Sequence, residues 1–236
     1  MRIRNLNISI KNSIILEDIN FDIKMGKALM ILGKSGIGKS LLGKALVGLL
    51  DSDFVLNAEE LSFNQASILN FNKKELRQLR SKVALVLQDA ELSLYPYLNI
   101  GDLCHLVLKT YTHLKKKERK DYAFSCLESL GFEYLDLLWH SYVNELSLGM
   151  ARRVSLALAL LSKPEILICD EITSSLDKKN AQKIMQILKE FKKDGALVCI
   201  THDLNLVHFL ADEIYILEKH NSRFFSFEEF LKSEYA

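Results

Sequence analysis

Apolar and polar positions alternate along two opening segments, RIRNLNISI (residues 2–10) and IILEDINFDI (14–23), with Lys11, Asn12 and Ser13 between them. A period of two puts one face of each segment in a core, so the pattern predicts antiparallel strands joined by a turn. From residue 27 the pattern changes. KALMILG (27–33) is short and apolar, and so are the main parts of KVALVLQ (82–88), EILICDE (165–171), ALVCITHD (196–203) and EIYILE (213–218). Such runs predict strands buried on both faces. Helical patterns such as SLLGKALVGLL (40–50) lie between most of them, and this alternation predicts a mostly parallel sheet covered by helices.

The stretch 90–161 breaks the alternation. It holds no convincing strand, whereas GDLCHLVLKTYTHL, KKKERKDYAFSCLESLGF and ARRVSLALALL all carry helical patterns. The prediction is one α/β domain, with a core formed by residues 1–89 and 162–236 and a helical subdomain inserted between two strands of its sheet.

Composition narrows the class. With 49% hydrophobic and 26% charged residues, the 236-residue chain can bury a large core. A net charge of +1 excludes a protein that relies on bulk charge to hold nucleic acid, and the run KKKERK (115–120) fits a solvated helix face. Cys104, Cys126, Cys169 and Cys199 have no metal-ligand spacing, which suits a reducing cytoplasm; Cys169 and Cys199 sit in apolar runs as small core residues. Arg2, Arg4 and Asn5 argue against a signal peptide, and no apolar run reaches the roughly 20 residues of a membrane span.

Two motifs carry chemistry. GKSGIGKS (33–40) fits G-x-x-x-x-G-K-[ST] between a predicted strand and a predicted helix. Gly33, Gly36 and Gly38 permit backbone geometries that aim successive N–H groups, with those of Lys34, Ser35 and Ile37, at phosphate oxygens. Lys39 is then expected to bridge the β- and γ-phosphates, and the Ser40 hydroxyl to ligate Mg²⁺. Asp170 and Glu171 end a second buried strand; one carboxylate there suits Mg²⁺ and the other an attacking water, although two solvated acids capping a strand would look the same. His202 follows a further strand and is expected at a γ-phosphate. Gln88 ends a strand where the helical segment begins, so its amide is expected to touch Mg²⁺ or the attacking water.

The ordered set GKSGIGKS, Gln88, LSLGM (146–150), EILICDE, SSLD (174–177) and His202 resembles the ATP-binding subunits of ABC transporters over nearly the whole chain. The resemblance implies an ATPase with ATP and Mg²⁺ as cofactors. It also implies two chains packed head to tail, with Ser147 and Gly149 of one offered to the γ-phosphate held by the other. Implied partners are a second ATP-binding subunit, membrane-spanning permease subunits at the cytoplasmic face of the membrane and, indirectly, an extracytoplasmic substrate-binding protein. LQDAELSLYPYLNIGD (87–102), Pro96, Pro164 and Met150 are similar to the peptide and nickel importer subfamily. A C-terminus without clustered cysteines suggests the nickel-type subunit and nickel as cargo, with an oligopeptide or dipeptide importer as the alternative.

Two residues depart from the family pattern. Ile10 stands where the family commonly stacks adenine on an aromatic ring, and Leu148 replaces the first glycine of the LSGGQ-like segment. Loss of one stacking contact costs roughly 1–3 kcal/mol by analogy with nucleic acids. Competition binding should therefore show weak discrimination between ATP and GTP; a strong ATP preference that survives Ile10→Ala would refute this assignment.

Overall fold

The structure, a computed structural model, describes residues 1–11, 13–174, 176–219 and 222–234, with only the backbone of Glu91 and Leu92. The opening strands are β1 (Arg2–Ile10) and β2 (Ser13–Asp22), paired antiparallel; the expected turn includes Asn12, outside the described residues. Three short strands, β4 (Phe54–Asn57), β5 (Glu60–Phe63) and β6 (Ala66–Ser67), complete this first sheet, with β4 and β5 pairing with β1 and β6 with β5. The sequence pattern did not announce these three, because strands of two to four residues are too short to display a period.

The second sheet holds β3 (Ala28–Leu32), β7 (Val83–Val86), β8 (Ile166–Asp170), β9 (Ala196–Ile200), β10 (Glu213–Ile216) and β11 (Arg223–Ser226). Its order is β11-β10-β3-β9-β8-β7, parallel throughout except for β11. Every residue of β8 and β9 is buried. Alternate residues of one strand serve opposite cores. Leu29 and Ile31 pack with Ile3, Leu6 and Ile8 of β1 and with Leu42 and Leu46 of α1 (Lys39–Leu46), while Ala28 and Met30 join the core on the other face. Two-sided burial is why these strands have continuous apolar runs rather than alternation.

Helix α2 (Lys73–Lys82), closed by a capping box between Asn72 and Glu75, leads into β7. Between β7 and β8 lie α3 (Ala90–Ser93), α4 (Ile100–Tyr111), α5 (Lys116–Ser129), α6 (Leu135–His140) and α7 (Leu148–Leu161). Among the described residues of this stretch the β pairing is an isolated bridge between Asn99 and Tyr142. The fold is thus an antiparallel sheet, a mainly parallel sheet and a helical subdomain, as the sequence predicts. Helices α8 (Lys178–Asp194), α9 (Leu204–Leu210) and α10 (Phe227–Phe230) complete the chain. Among the described residues no helix is long and apolar enough to cross a membrane.

The cysteines behave as small core residues or neighbours of the core. Cys169 and Cys199 are buried partners on β8 and β9, and burial pushes the Cys104 thiol up to about 12. Within the helical subdomain, Gly101 permits a close approach: an added Cβ would lie 2.4 Å from the Trp139 ring. Helix propensity favours alanine over glycine by about 1 kcal/mol, but overpacking a buried ring costs about 1–3 kcal/mol. Gly101→Ala should therefore lower the thermal midpoint by a few degrees, roughly 2–4 °C per kcal/mol lost, as read by calorimetry.

Candidate functional site

Parallel strands bring their C-terminal ends to one edge of the sheet, and loops from four of them meet there. The loop after β3 supplies Gly33, Ser35, Gly36 and Gly38, and α1 supplies Lys39, Ser40 and Leu41. Gln88 follows β7, Asp170 ends β8 and Glu171 follows it, and His202 follows β9. Together they line one cleft of about 520 Å³. Lys34 and Ile37 face an adjoining cleft of about 370 Å³, beside Leu217 and Glu218.

The glycine loop is held by geometry that other residues resist. Gly36 and Gly38 have φ of 78° and 107°, and a Cβ on Gly38 would meet Leu16 Cδ2 at 2.9 Å. Lys39 Nζ donates to the main-chain oxygens of Gly33 (2.8 Å) and Lys34 (3.0 Å), which keeps the ammonium over its own loop. Backbone N–H groups, a helix N-terminus and a lysine converge here, a combination that suits a polyphosphate.

Asp170 is only 2% exposed, and its Oδ1 is buried without a hydrogen-bond partner. Burial pushes its carboxyl above the usual carboxylate range, Glu171 and Asp89 add to the shift, and the Ser40 hydrogen bond and Lys39 oppose it. An orphaned carboxylate oxygen beside the Ser40 hydroxyl and the Gln88 amide is a set of hard oxygen donors of the kind Mg²⁺ prefers. The residues present fit that ion.

Glu171 is a left-handed residue, φ 51°, a conformation that costs a non-glycine roughly 1–2 kcal/mol. Its main chain is fixed on both sides: its N–H donates to Ile200 O (2.9 Å), and its carbonyl accepts from Ser174 N (3.2 Å) and Ser174 Oγ (2.9 Å). Its carboxylate Oε1 lies 2.8 Å from His202 Nδ1, and the His202 side chain is 74% exposed toward the cleft mouth. A buried carboxylate paired with an accessible imidazole can orient a water and reach a phosphate.

Other residues of the resemblance lie outside this cleft. Ser147 caps α7, accepting from Met150 N at 3.3 Å, and Gly149 lies near Leu176; neither lines the cleft, and Ser147 and Leu148 are exposed. Ile10 ends β1 half-buried, opposite Phe54 and Ser13, and lines neither cleft. Within SSLD, Ser175 is outside the described residues, and Asp177 caps α8 by accepting from Asn180 N (3.0 Å). One buried residue bordering the site went unassigned from sequence. Arg152 of α7 is 3% exposed, and its Nη2 donates to Gln88 O at 2.9 Å. Its signal is an arginine inside the apolar run of α7, which needs polar partners that sequence cannot name.

A family profile described as ABC transporter matches residues 16–174. The chain belongs to the ABC transporter family. It is 34% identical over 205 residues to the oligopeptide transport ATP-binding protein OppD of Salmonella typhimurium, covering 86% of this chain and 61% of that protein. It is 36% identical to the dipeptide transport ATP-binding protein DppD of Haemophilus influenzae, covering 86% and 62%. The chain thus spans about six tenths of the length of these curated relatives. Among solved structures it resembles the ATP-binding cassette MJ0796, described as a dimer in a post-hydrolysis state bound to ADP and Pi. That match has a TM-score of 0.80 and 26% identity, and covers 94% of this chain and 97% of that one.

The Asp170 environment predicts a stability effect with a definite sign. Its folded-state pKa is raised above the ordinary carboxylate value, so the folded chain binds the proton more tightly than the unfolded one, and stability falls as pH rises through the carboxylate range. Asp170→Asn, which keeps an oxygen for Ser40, should raise the denaturation midpoint of the nucleotide-free protein at pH 7. The gain should shrink as pH falls below about 4, where wild-type Asp170 is protonated in both states.

Proposed function

We propose that this chain is the ATP-hydrolysing subunit of an ABC importer. The observation that carries the reading is the single cleft that gathers Lys39, Ser40, Gln88, Asp170, Glu171 and His202, with Glu171 and His202 2.8 Å apart. In this reading the loop from Gly33 to Lys39 binds the ATP phosphates. Ser40, Asp170 and Gln88 hold Mg²⁺, which supplies charge neutralisation at the phosphates. Glu171 orients and deprotonates the attacking water, and His202 contacts the γ-phosphate. The left-handed turn at Glu171 places its carboxylate at the cleft rather than along the strand, which is a use for its conformational cost.

Ser147 and Gly149 support a head-to-tail pair. Exposed Ser147 and half-buried Gly149 stand at the start of α7, outside the chain's own cleft, so a second ATP-binding subunit is the natural recipient. The relative MJ0796 is described as dimeric. ATP can then drive movement only by binding the closed pair more tightly than the open one. The membrane-spanning permease subunits, an extracytoplasmic binding protein and a position at the cytoplasmic face of the membrane belong to the same proposal. For cargo, relatives named for oligopeptide and dipeptide transport favour a peptide importer over the nickel importer that the C-terminus suggested.

Glu171→Gln should keep ATP binding, lower phosphate release by at least about 10²-fold, and accumulate as an ATP-dependent dimer on gel filtration. Undiminished release in that variant would refute Glu171 as the base. Uptake of labelled di- and oligopeptides should fail in a deletion strain while labelled nickel uptake persists. The reverse pattern would assign the cargo to nickel.

A further inference from the structure

Arg152 is a charged side chain buried in the apolar body of α7. Its guanidinium reaches two separate loops. Nη2 donates to Gln88 O at 2.9 Å, while Nη1 donates to Ser174 O and, at 2.9 Å, to Ser174 Oγ. Ser174 in turn donates from both its N–H and its hydroxyl to Glu171 O. One guanidinium therefore ties the main chain beside the Gln88 amide to the main chain that carries the Glu171 carboxylate.

The acceptors are two carbonyls and a hydroxyl, all neutral. Burial lowers the pKa of Arg152, and the nearby charges of Glu171, Asp89 and Asp170 counter that shift. A buried cation is a weak source of stability, because apolar replacements of similar volume are often neutral or better. Its planar fork is well suited to holding several oxygens in fixed relation. Because it binds carbonyls and a hydroxyl, the carboxylate of Glu171 and the amide of Gln88 are left for the cleft.

We propose that Arg152 is a positioning residue for ATP hydrolysis, setting Gln88 and Glu171 at their working separation by clamping the main chain of both loops. This rests on the proposed hydrolysis at that cleft. Arg152 touches neither nucleotide nor metal in this role. It lies on the helix that Ser147 caps, so a shift of α7 imposed at its N-terminus by a partner subunit moves both loops of this chain's own site. The helix thereby links the site it completes to the site it braces.

The test compares wild type, Arg152→Met, Arg152→Gln, Ser174→Ala and Lys39→Ala in the complex with the partner and membrane-spanning subunits, measuring phosphate release against ATP concentration. Arg152→Met should lower kcat at least tenfold with KM for ATP within threefold of wild type. Arg152→Gln retains one amide donor and should recover part of the loss. Ser174→Ala alone should lower kcat less than Arg152→Met, because it removes the hydroxyl contacts and leaves the guanidinium bound to Ser174 O and Gln88 O. A kcat within twofold of wild type in Arg152→Met overturns the proposal, as does a rise in KM that accounts for the whole loss. If Arg152→Met fails to fold, a wild-type kcat in Arg152→Gln overturns it instead. If wild type releases phosphate no faster than Lys39→Ala, the proposed ATPase function falls first and this inference with it. Active wild type with an indifferent Arg152 rejects the positioning role alone.

Discussion

Two adjacent carboxylates at the end of one buried strand constrain everything around them. Asp170 and Glu171 are 2% and 7% exposed, and charges so little hydrated need compensation from the protein or a ligand. The parallel sheet supplies it by position. β8 lies between β9 and β7, and β3 is the next strand beyond β9, so His202, Gln88 and the Lys39 loop all emerge beside the acids. The order of strands, set by apolar runs that know nothing of chemistry, is what makes four distant sequence segments into one site.

Compensation is incomplete by design of the fold. Ser40 and Lys39 favour the Asp170 carboxylate, yet burial dominates and Oδ1 has no hydrogen-bond partner. Lys39 donates to the main chain of its own loop. A polyphosphate with a divalent cation would give Lys39 and Asp170 each a partner of opposite charge. Ligand binding therefore also relieves an electrostatic cost that the protein carries alone, which couples occupancy to stability.

Much of this was legible in the chain because its signals are local. The phosphate loop has a full spacing and a strand–helix setting, and the buried strands appear as unbroken apolar runs such as ILICD. What was hidden depends on tertiary contact. The strands β4, β5 and β6 are too short to carry a period, and α6 has only six residues. Arg152 was visible as an arginine among leucines, but its acceptors, Gln88 and Ser174, are 64 and 22 positions away, and hydrogen bonds to main-chain oxygens leave no mark on the acceptor's residue type. Ile10, which the family resemblance sets at the adenine, is half-buried at a strand end and lines neither cleft.

The start of α7 raises a competition that the chemistry of a hydroxyl resolves. Ser147 Oγ accepts from Met150 N, which makes it a helix cap, and a group spent on capping would be lost to a phosphate. A serine hydroxyl, however, has two acceptor lone pairs and one hydrogen, and capping uses an acceptor. The hydrogen stays available for a phosphate oxygen, and the cap fixes the direction in which it is offered. Leu148 is compatible with this arrangement because it is the first residue of the helix and is not among the residues with positive φ, so nothing in its backbone requires glycine. Gly149 also has ordinary helical geometry, and an added Cβ there would press on Leu176 at 3.2 Å, close to the segment that leads into α8. The second position is therefore constrained by packing against the chain's own next segment, while the first is free to vary at an exposed surface.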